Sequence, residues 1–337
     1  MKHPIVFIII LNWNSWKDTI ECLESILRNT YLNYRVVVID NSSTDNSMDK
    51  IKAWADGKLV SDVLKKSENP LCHLSNPPVE KPLPYIEYNM KTAKGGDNQT
   101  KERTLTGKTS YPLLLIQTHT NLGFAGGNNV GIRYVLSQVD CGYIWLLNND
   151  TVIESGALSE LVHSAETYRM SAIWGSTLKK YSNPNEIQMY GGAVIRKITG
   201  TIKFITTTSE LPRLSYVSGA SLFARTHSFK EIGLLPEEYF LYWEDADWCT
   251  KAKLRGYELI HVTESVVYHR VAMRQESTAD FYYSLNGLKF LKKYHRKFLI
   301  TAIPSQILKA IKRALMGKER NAKTIVAGVK EFLRTTP

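Results

Sequence analysis

The sequence contains few cysteines, and none of them lies close to another. Cys22, Cys72, Cys141 and Cys249 are spread over 337 residues and form no CxxC pair. A disulfide framework or a structural zinc site needs clustered cysteines. We therefore expect reduced thiols, most of them buried.

Long apolar runs are also absent. The sequence has no stretch of about 18 uncharged apolar residues, which is the length that a helix needs to cross a bilayer. The apolar residues 5–11 are followed directly by Asn12-Trp13-Asn14, without a small-residue cleavage site, and indicate a buried first strand rather than a signal peptide. We expect a protein that is made and kept in the cytoplasm.

Most of the chain lacks an excess of either charge. The first 280 residues contain 30 basic and 30 acidic side chains, whereas residues 281–337 contain 13 basic and 2 acidic ones. The net charge of +11 therefore belongs to the C-terminal region. A neutral main region argues against nucleic-acid binding, and a basic end indicates an appendage that faces an anionic partner. We expect a domain of residues 1–280 and a basic helical region of residues 281–337.

Apolar residues make up 43% of the sequence, and in the first half they alternate between strand-like and helix-like patterns. The patterns predict strands at 5–11, 36–39, 113–117 and 143–147 and helices at 16–28, around 51–54 and up to 136. Such alternation predicts an α/β fold with a Rossmann-like, doubly wound, mostly parallel sheet. Polar residues follow the end of each strand, where such sheets bind their ligands.

Residues 65–111 interrupt this alternation. They are rich in Lys, Asn, Pro, Thr and Gly and have no sustained periodicity, so they predict a surface insertion. The second half is less regular. Its patterns predict a small antiparallel hairpin at 190–205 and a strand after a turn at 217–225. They also predict a helix at 244–255 and two short strands at 259–262 and 265–269.

Three polar side chains follow the fourth strand. A carboxylate at Asp150, after Asn148 and Asn149, can hold Mg²⁺ or Mn²⁺ while substrate phosphates and water fill the other positions. On this string alone, a cap on a helix beginning near Ser155 is the favoured interpretation. A histidine at the end of the last strand, His269, is either a structural hydrogen-bonding group or the residue that completes a metal site.

Three carboxylates lie between two tryptophans in residues 243–248. On a helix, Glu244 and Asp247 share one face, whereas Asp245 points elsewhere. A carboxylate beside tryptophan rings and other carboxylates should have a raised pKa, which suits a general base. The alternative is an acidic first turn that complements the helix dipole.

Taken in order, seven short strings resemble glycosyltransferase family 2, and most closely its rhamnosyltransferase-like branch. They are IILNWN (9–14), VVIDNSSTD (37–45), NLGFAGGNN (121–129), LLNNDT (146–151), SGA (218–220), FLYWEDAD (240–247) and VYH (267–269). The resemblance covers residues 4–295 apart from the insertion. It implies a GT-A fold, a nucleotide-sugar donor and a divalent cation, Mg²⁺ or Mn²⁺.

The resemblance also implies roles for individual residues. Asp245 matches the catalytic base, Asp150 and His269 match metal ligands, and Trp13 and Asp40 match contacts to a uridine or thymidine base. The other implied donor-binding residues are Leu11, Asn121, Gly123, Gly127, Asn128, Asn148 and Asn149, and the implied acceptor-side residues are Trp243, Glu244 and Asp247. Because the family's DxD motif here reads NND, only one carboxylate faces the cation. The implied reaction is an inverting single displacement.

The C-terminal residues 305–316 predict an amphipathic helix. Ile307, Leu308, Ile311 and Leu315 form an apolar stripe, opposed by Lys309, Lys312 and Arg313. This pattern suits an anionic membrane surface and a lipid-linked acceptor, with the protein peripheral on the inner face of the cell membrane through 298–337. The alternative is a helix whose stripe packs on the catalytic domain.

Two other functions compete with a glycosyltransferase. A non-catalytic nucleotide-sugar binding protein would keep the binding residues without needing Asp245. A nicotinamide-dependent oxidoreductase requires GxGxxG after the first strand, where this chain has Asn12-Trp13-Asn14.

Overall fold

The computed structural model describes residues 4–59, 69–95, 113–138, 142–168, 170–270 and 276–335. Three of the four cysteines lie within these ranges and are free thiols, with Cys22 and Cys249 buried and Cys72 partly exposed. Cys141 lies outside the described residues. Over the same ranges, no helix combines the length and apolar character needed to span a bilayer.

The described residues form helices and strands that alternate along the first half of the chain. The helices are α1 Trp16–Ile26, α2 Ser47–Ala55, α3 Met90–Gly95, α4 Gly123–Leu136, α5 Ala157–Thr167, α6 Thr226–Ile232, α7 Glu244–Leu254, α8 Glu276–Tyr294, α9 Leu299–Leu315 and α10 Glu319–Thr335. The strands are β1 Val6–Asn12, β2 Tyr34–Asp40, β3 Tyr85–Asn89, β4 Leu113–Gln117, β5 Tyr143–Asn148, β6 Thr151–Ile153, β7 Ala172–Lys180, β8 Asn183–Tyr190, β9 Gly192–Arg196, β10 Thr201–Phe204, β11 Tyr216–Val217, β12 Ser221–Arg225 and β13 Glu258–His269.

Within the described residues, ten strands form one mixed sheet in the order β3-β4-β2-β1-β5-β12-β7-β13-β6, with β8 paired to β7. The five strands from β3 to β5 are parallel, whereas β12 runs antiparallel to both of its neighbours. A small antiparallel sheet, β10-β9-β11, lies beside it. The expected α/β class with a mostly parallel sheet, a small antiparallel hairpin and C-terminal helices is confirmed.

The central strands are apolar throughout because helices cover both faces of the sheet. Ile8 and Ile10 belong to one core with Leu23 of α1, whereas Phe7 and Ile9 belong to the opposite core with Val130 of α4. Strands that are buried on both faces read as continuous apolar runs, which is why β1 was recognisable from the sequence.

The segment 65–111 is more than a surface insertion. Within its described part, Tyr85–Asn89 pairs in parallel with Leu113–Gln117 and forms an edge strand of the main sheet. Ile86 and Tyr88 are buried, whereas Glu87 and Asn89 are exposed. An alternation of only five residues in a proline-rich segment is a weak strand pattern, so the sequence did not predict this strand. Residues 60–68 and 96–112 lie outside the description.

Two other expectations also needed correction. The strands expected at 259–262 and 265–269 are one strand, β13, with an irregularity between Val262 and Val266. The boundary expected at residue 280 falls inside α8, whose Leu288 and Phe290 are buried in the same core as Trp243. The first helix of the basic region is therefore part of the main fold.

The strand register gathers the chemistry-bearing residues at one edge of the sheet. Asn12 pairs with Asp40, and Leu11 pairs with Asn148, so the carboxyl ends of β1, β2 and β5 are adjacent. His269 pairs with Thr151 on β6, which places its ring beside the β5–β6 turn. This edge carries the candidate site.

Candidate active site

A cavity of about 570 Å³ lies between the main sheet, the small sheet and the C-terminal helices. Five of the predicted site residues line it, namely Asn148, Trp243, Glu244, Asp245 and His269. The other lining residues are Phe124, Gln188, Met189, Thr201, Ile202, Phe204, Tyr216, Ser218, Gly219, Ala220, Leu241, Tyr242, Ala246, Ala279, Asp280, Tyr283 and Lys309. The remaining predicted residues lie outside this lining.

Asp245 is partly buried at the start of α7, and the backbone holds its carboxylate in place. The amide of Gly219 donates to Oδ2 at 2.9 Å, and the amide of Ala246 donates to Oδ1 at 2.8 Å. Burial raises the pKa of Asp245 to about 6, although these two hydrogen bonds favour the charged form. A fixed carboxylate with a pKa near neutrality, facing a cavity, has the properties of a general base.

The loop that precedes α7 has an unusual backbone. Phe240, Tyr242 and Trp243 have φ angles of 57°, 65° and 77°, a left-handed region that bulky residues rarely occupy. Asn286 of α8 holds this loop, since its Nδ2 donates to the carbonyl oxygens of Tyr239 at 2.6 Å and of Leu241 at 2.8 Å. Helix α8 thus fixes the position from which Asp245 projects.

Glu244 faces the same cavity in a different chemical state. Its side chain is buried, and among the described residues no group donates a hydrogen bond to Oε2. Burial, reinforced by the neighbouring Asp245 carboxylate, raises the pKa of Glu244 well above its usual value. The shift favours the protonated acid, a form that can donate a hydrogen bond to a ligand.

Asp247 does not lie on the acceptor side as expected. Its carboxylate is fully buried away from the cavity and accepts from the hydroxyls of Tyr239 at 2.8 Å and Tyr294 at 3.0 Å. Ion pairs with Lys293 at 2.7 Å and Lys251 at 3.1 Å complete its surroundings. The structure assigns this carboxylate to attaching α7 to α8. Sharing one helix face did not place Glu244 and Asp247 in one site.

Asp150 and His269 meet at the β5–β6 turn. Oδ1 of Asp150 lies 3.3 Å from Nε2 of His269, and Nδ2 of Asn148 lies 3.4 Å from the same nitrogen. Asp150 precedes strand β6, and the following helix, α5, has Gly156 at its N-cap, so the interpretation of Asp150 as a helix cap is wrong.

Gln188 of β8 orients the imidazole of His269. Oε1 of Gln188 lies 3.1 Å from Nδ1 of His269. The tautomer that satisfies this contact carries its proton on Nδ1 and leaves the lone pair of Nε2 facing Asp150 and Asn148. Histidines that bind metals are commonly fixed in this way by a hydrogen bond at the other ring nitrogen.

These residues fit a divalent cation that takes part of its coordination from a ligand. Two ligands of one octahedral ion, each about 2.1 Å from it, are about 3 Å apart, which is close to the separation of Asp150 and His269. A carboxylate together with an imidazole suits Mn²⁺. No group of three or more His, Cys, Asp or Glu suited to a metal occurs among the described residues. A cation held here would therefore need phosphate or water oxygens.

The residues at the ends of β1 and β2 form a second part of the site. Trp13 is 54% exposed, which leaves its ring free to lie against a ligand. Asp40 is buried and accepts from Asn12 Nδ2 at 2.8 Å and from Ser43 Oγ at 2.6 Å, both at Oδ1. Among the described residues, the Ser43 amide alone donates to Oδ2, at 3.2 Å, so the remaining capacity of this oxygen would serve a base contact.

A chain of buried hydrogen bonds connects the two parts of the site. Asn149 Nδ2 donates to Thr19 Oγ1 at 3.0 Å, and Thr19 Oγ1 donates to Asn12 Oδ1 at 2.8 Å. Asn12 in turn donates to Asp40. Asn149, expected to contact the donor, instead points away from the cavity and fixes the turn that presents Asp150.

Several residues of the glycine-rich string pack the fold and do not face the cavity. A Cβ on Gly127 would lie 2.4 Å from Leu11, so this glycine lets α4 approach β1. Gly123 has a φ of 71°, and a Cβ there would lie 2.3 Å from the carbonyl oxygen of Phe240, in the loop before Asp245. Asn128 is buried and donates to Phe124 O at 3.0 Å.

Asn121 also has a local role. Its Oδ1 accepts from Asn41 Nδ2 at 3.0 Å and from the Gly123 amide at 2.9 Å, which holds the turn into α4. Sequence reasoning missed Asn286, Gln188, Tyr283, Asp280 and Lys309. No motif marks these residues, since helices and strands far away in the chain bring them to the site.

The fold and the site together define a class of enzyme, the glycosyltransferases with a GT-A fold. Residues 7–70 and 97–233 match the family described as Glycosyl transferase family 2. This match covers more than half of the chain, which therefore belongs to glycosyltransferase family 2. The unmatched residues 71–96 fall within the segment 65–111.

Individual relatives agree with this assignment. The low-salt glycan biosynthesis hexosyltransferase Agl10 of Haloferax volcanii is 28% identical over 139 residues, which are 41% of this chain and 45% of that protein. The chain thus aligns with less than half of this curated relative. Two solved structures support the fold alone, because their sequence identities are low.

The first solved structure is the mannosyltransferase PcManGT from Pyrobaculum calidifontis in complex with GDP-Man and Mn²⁺. It has a TM-score of 0.54 and 12% identity, covering 100% of this chain and 89% of that one. The second is GalNAc-T7 with UDP, GalNAc and Mn²⁺, with a TM-score of 0.52 and 13% identity, covering 80% of this chain and 44% of that one.

Proposed function

We propose that this protein transfers a sugar from a nucleoside-diphosphate donor to a hydroxyl of a saccharide or lipid-linked saccharide. The observation that carries the proposal is one cavity whose wall contains Asp245, Asn148 and His269, next to the exposed ring of Trp13 at the same sheet edge. Membership of glycosyltransferase family 2 supports it.

In this proposal Asp245 removes the proton of the acceptor hydroxyl. Both of its oxygens accept backbone hydrogen bonds, which hold the carboxylate in one orientation while the acceptor oxygen attacks the anomeric carbon. The attack comes from the face opposite the diphosphate, so the reaction is a single displacement that inverts the anomeric configuration. Glu244, as a neutral acid, donates a hydrogen bond to a substrate hydroxyl. General-base assistance contributes about 10²–10⁴-fold.

Asp150 and His269, with Asn148 beside them, would hold Mg²⁺ or Mn²⁺ against the donor diphosphate. The chemistry that such a cation supplies is neutralisation of the charge that develops on the departing nucleoside diphosphate. Gln188 keeps the Nε2 lone pair of His269 available for this role, and Asn149 keeps the Asp150 turn in place.

The proposed donor is a UDP- or dTDP-sugar, with dTDP-rhamnose as the first compound to test. Support comes from Asp40, because a carboxylate oxygen at the base position accepts the imide proton of uracil or thymine. The two solved neighbours are complexes with different nucleotides, GDP-Man and UDP, and do not select between donors.

A nucleotide-sugar panel, with and without Mn²⁺, tests the donor by thermal shift, since a ligand that binds the native state raises its stability. Asp245→Asn should keep the affinity for the donor and lower transfer about 10²–10⁴-fold, measured as release of the nucleoside diphosphate with acceptor. Glu238→Gln changes an exposed carboxylate in the preceding turn and should leave both unchanged. Wild-type transfer by Asp245→Asn would remove Asp245 from the mechanism. Donor binding without transfer by the wild type would favour a binding protein.

A further inference from the structure

Helix α9 exposes apolar side chains that no other described element covers. Ile300, Leu308, Ile311 and Leu315 are 80%, 65%, 51% and 84% exposed and lie along one side of the helix. Met316 follows at 62%. We call these five residues the α9 stripe. The stripe predicted from the sequence included Ile307, but Ile307 packs against the core and Ile300 takes part instead.

The orientation of α9 is fixed by its opposite side. Ala302 and Gln306 are fully buried, and Gln306 donates from Nε2 to the carbonyl oxygens of Thr199 at 3.0 Å and Gly200 at 3.2 Å. Ser284 of α8 donates to Gln306 Oε1 at 3.1 Å. The helix cannot rotate to bury the stripe without breaking these contacts. The apolar side therefore faces outward in the folded protein.

The charge around the stripe indicates which partner it suits. Arg296 and Lys297 precede α9, and Lys312, Arg313 and Lys318 surround its end, within a region whose net charge is +11. Two copies of such a surface repel each other, and nucleic acid offers no apolar layer for the stripe. An anionic lipid surface provides both negative charge and an apolar boundary.

We propose that the α9 stripe lies in the headgroup region of an anionic lipid bilayer. The same helix contributes Lys309 to the cavity wall, where it pairs with Asp280 at 3.4 Å. Docking of α9 therefore places the part of the cavity lined by Lys309 and Asp280, which we take as its acceptor end, near the bilayer surface. This reading of the acceptor end rests on the proposed function, whereas the docking itself does not.

The test uses the full chain and large unilamellar vesicles of phosphatidylcholine. One set of vesicles contains about 30 mol% phosphatidylglycerol, and the other contains none. The wild type should bind the anionic vesicles and bind the neutral ones weakly. The double variant Leu308→Asp with Ile311→Asp should lose about tenfold or more in partition coefficient. The double variant Leu254→Asp with Met170→Asp is the matched control, since it places two charges at exposed apolar positions elsewhere, 73% and 60% exposed. It should bind as the wild type does.

Thermal shift with UDP and with dTDP, measured on the same three proteins, separates the two proposals. Equal nucleotide shifts with a selective loss of vesicle binding support the membrane surface. Vesicle binding without any nucleotide shift would instead weaken the proposed function. Equal vesicle binding by the stripe variant and the wild type would overturn the proposal. It would also be overturned if the wild type formed a dimer that the stripe variant dissociates.

Discussion

Asn286 should control activity from a position outside the cavity. The residue is fully buried in α8, and its amide group bridges the carbonyl oxygens of Tyr239 and Leu241 at 2.6 and 2.8 Å. A third carbonyl, that of Tyr242, lies at 3.3 Å. Substitution by alanine removes these contacts, although the Tyr239 carbonyl still accepts from the Leu241 amide at 2.6 Å.

The expected loss of stability follows from these contacts. A buried polar group that loses its partner costs roughly 1–3 kcal/mol, so loss of two short hydrogen bonds predicts a loss of about 2–6 kcal/mol. The lower end is expected because the Tyr239 carbonyl keeps a second donor. Left-handed φ angles at Phe240, Tyr242 and Trp243 cost about 1–3 kcal/mol each, and this strain drives the loop to relax once it is released. Relaxation moves the start of α7 and with it Asp245. A displacement of about 1 Å near the reacting atoms costs about 10²-fold in rate.

The assay combines urea unfolding with steady-state transfer kinetics at a temperature where the variant remains folded. Asn286→Ala should lower kcat about tenfold to a hundredfold and change the KM for the donor little, because the substitution does not touch the strands that are proposed to bind the donor. Asn129→Ala is the matched control. Asn129 is also fully buried, and the hydrogen bonds of its side chain go to Leu235 and Glu237 rather than to the loop of residues 239–243. A variant at 286 that loses stability and keeps its kcat would refute the positioning role.

Three further predictions concern charge and protonation at the site. Glu244→Gln should retain most transfer activity, because an amide donates a hydrogen bond as the protonated acid does, and loss of transfer would contradict a neutral Glu244. The raised pKa of Glu244 means that the unfolded state releases this proton first as pH rises above the ordinary value near 4.5, so the wild type loses stability there. The Tm of Glu244→Gln relative to the wild type should therefore increase with pH. The kcat/KM of the wild type should rise with pH and level off above about 6, because Asp245 acts only after losing its proton, and a flat profile from pH 5 to 7 would argue against that role. Gln188→Ala should weaken Mn²⁺ binding about 10- to 100-fold in an electron paramagnetic resonance titration, since His269 loses the contact that fixes its ring.

The parallel half of the sheet could be predicted from the sequence because burial on both faces leaves an unambiguous pattern. The β1 and β5 runs are apolar at nearly every position, and the polar residues that follow them mark the carboxyl edge. The antiparallel half carries weaker signals. Strand β8 reads as polar because only Gln188 and Met189 of its eight residues are buried, so nothing in the sequence indicates that Gln188 reaches His269.

Some candidate residues could be placed from the sequence around them, whereas the positions of others depend on residues distant in the chain. Asp245 could be singled out by its string, and its position in the cavity agrees with the predicted role, which remains a proposal. Asp247, two residues later, could not be separated from it, because its burial depends on Lys293 and Tyr294, which are distant in the chain. Gly127 and Asn128 were expected to contact the donor from the family resemblance, and that role stays a prediction. In the structure Gly127 packs against Leu11, and Asn128 donates to the Phe124 carbonyl.

The charge distribution divides the chain at residue 280, but the packing does not. Asn286 in α8 holds the loop before Asp245, and Gln306 and Lys309 in α9 bind the small sheet and the cavity wall. Deleting the basic region would therefore disturb the core and the site together with any membrane surface, and a loss of vesicle binding after such a deletion would have no single cause. Outward-facing substitutions at Leu308 and Ile311 avoid this problem, because these side chains leave the buried side of α9 intact. The basic region is thus part of the enzyme's architecture, and only its outer side can be assigned to a separate role.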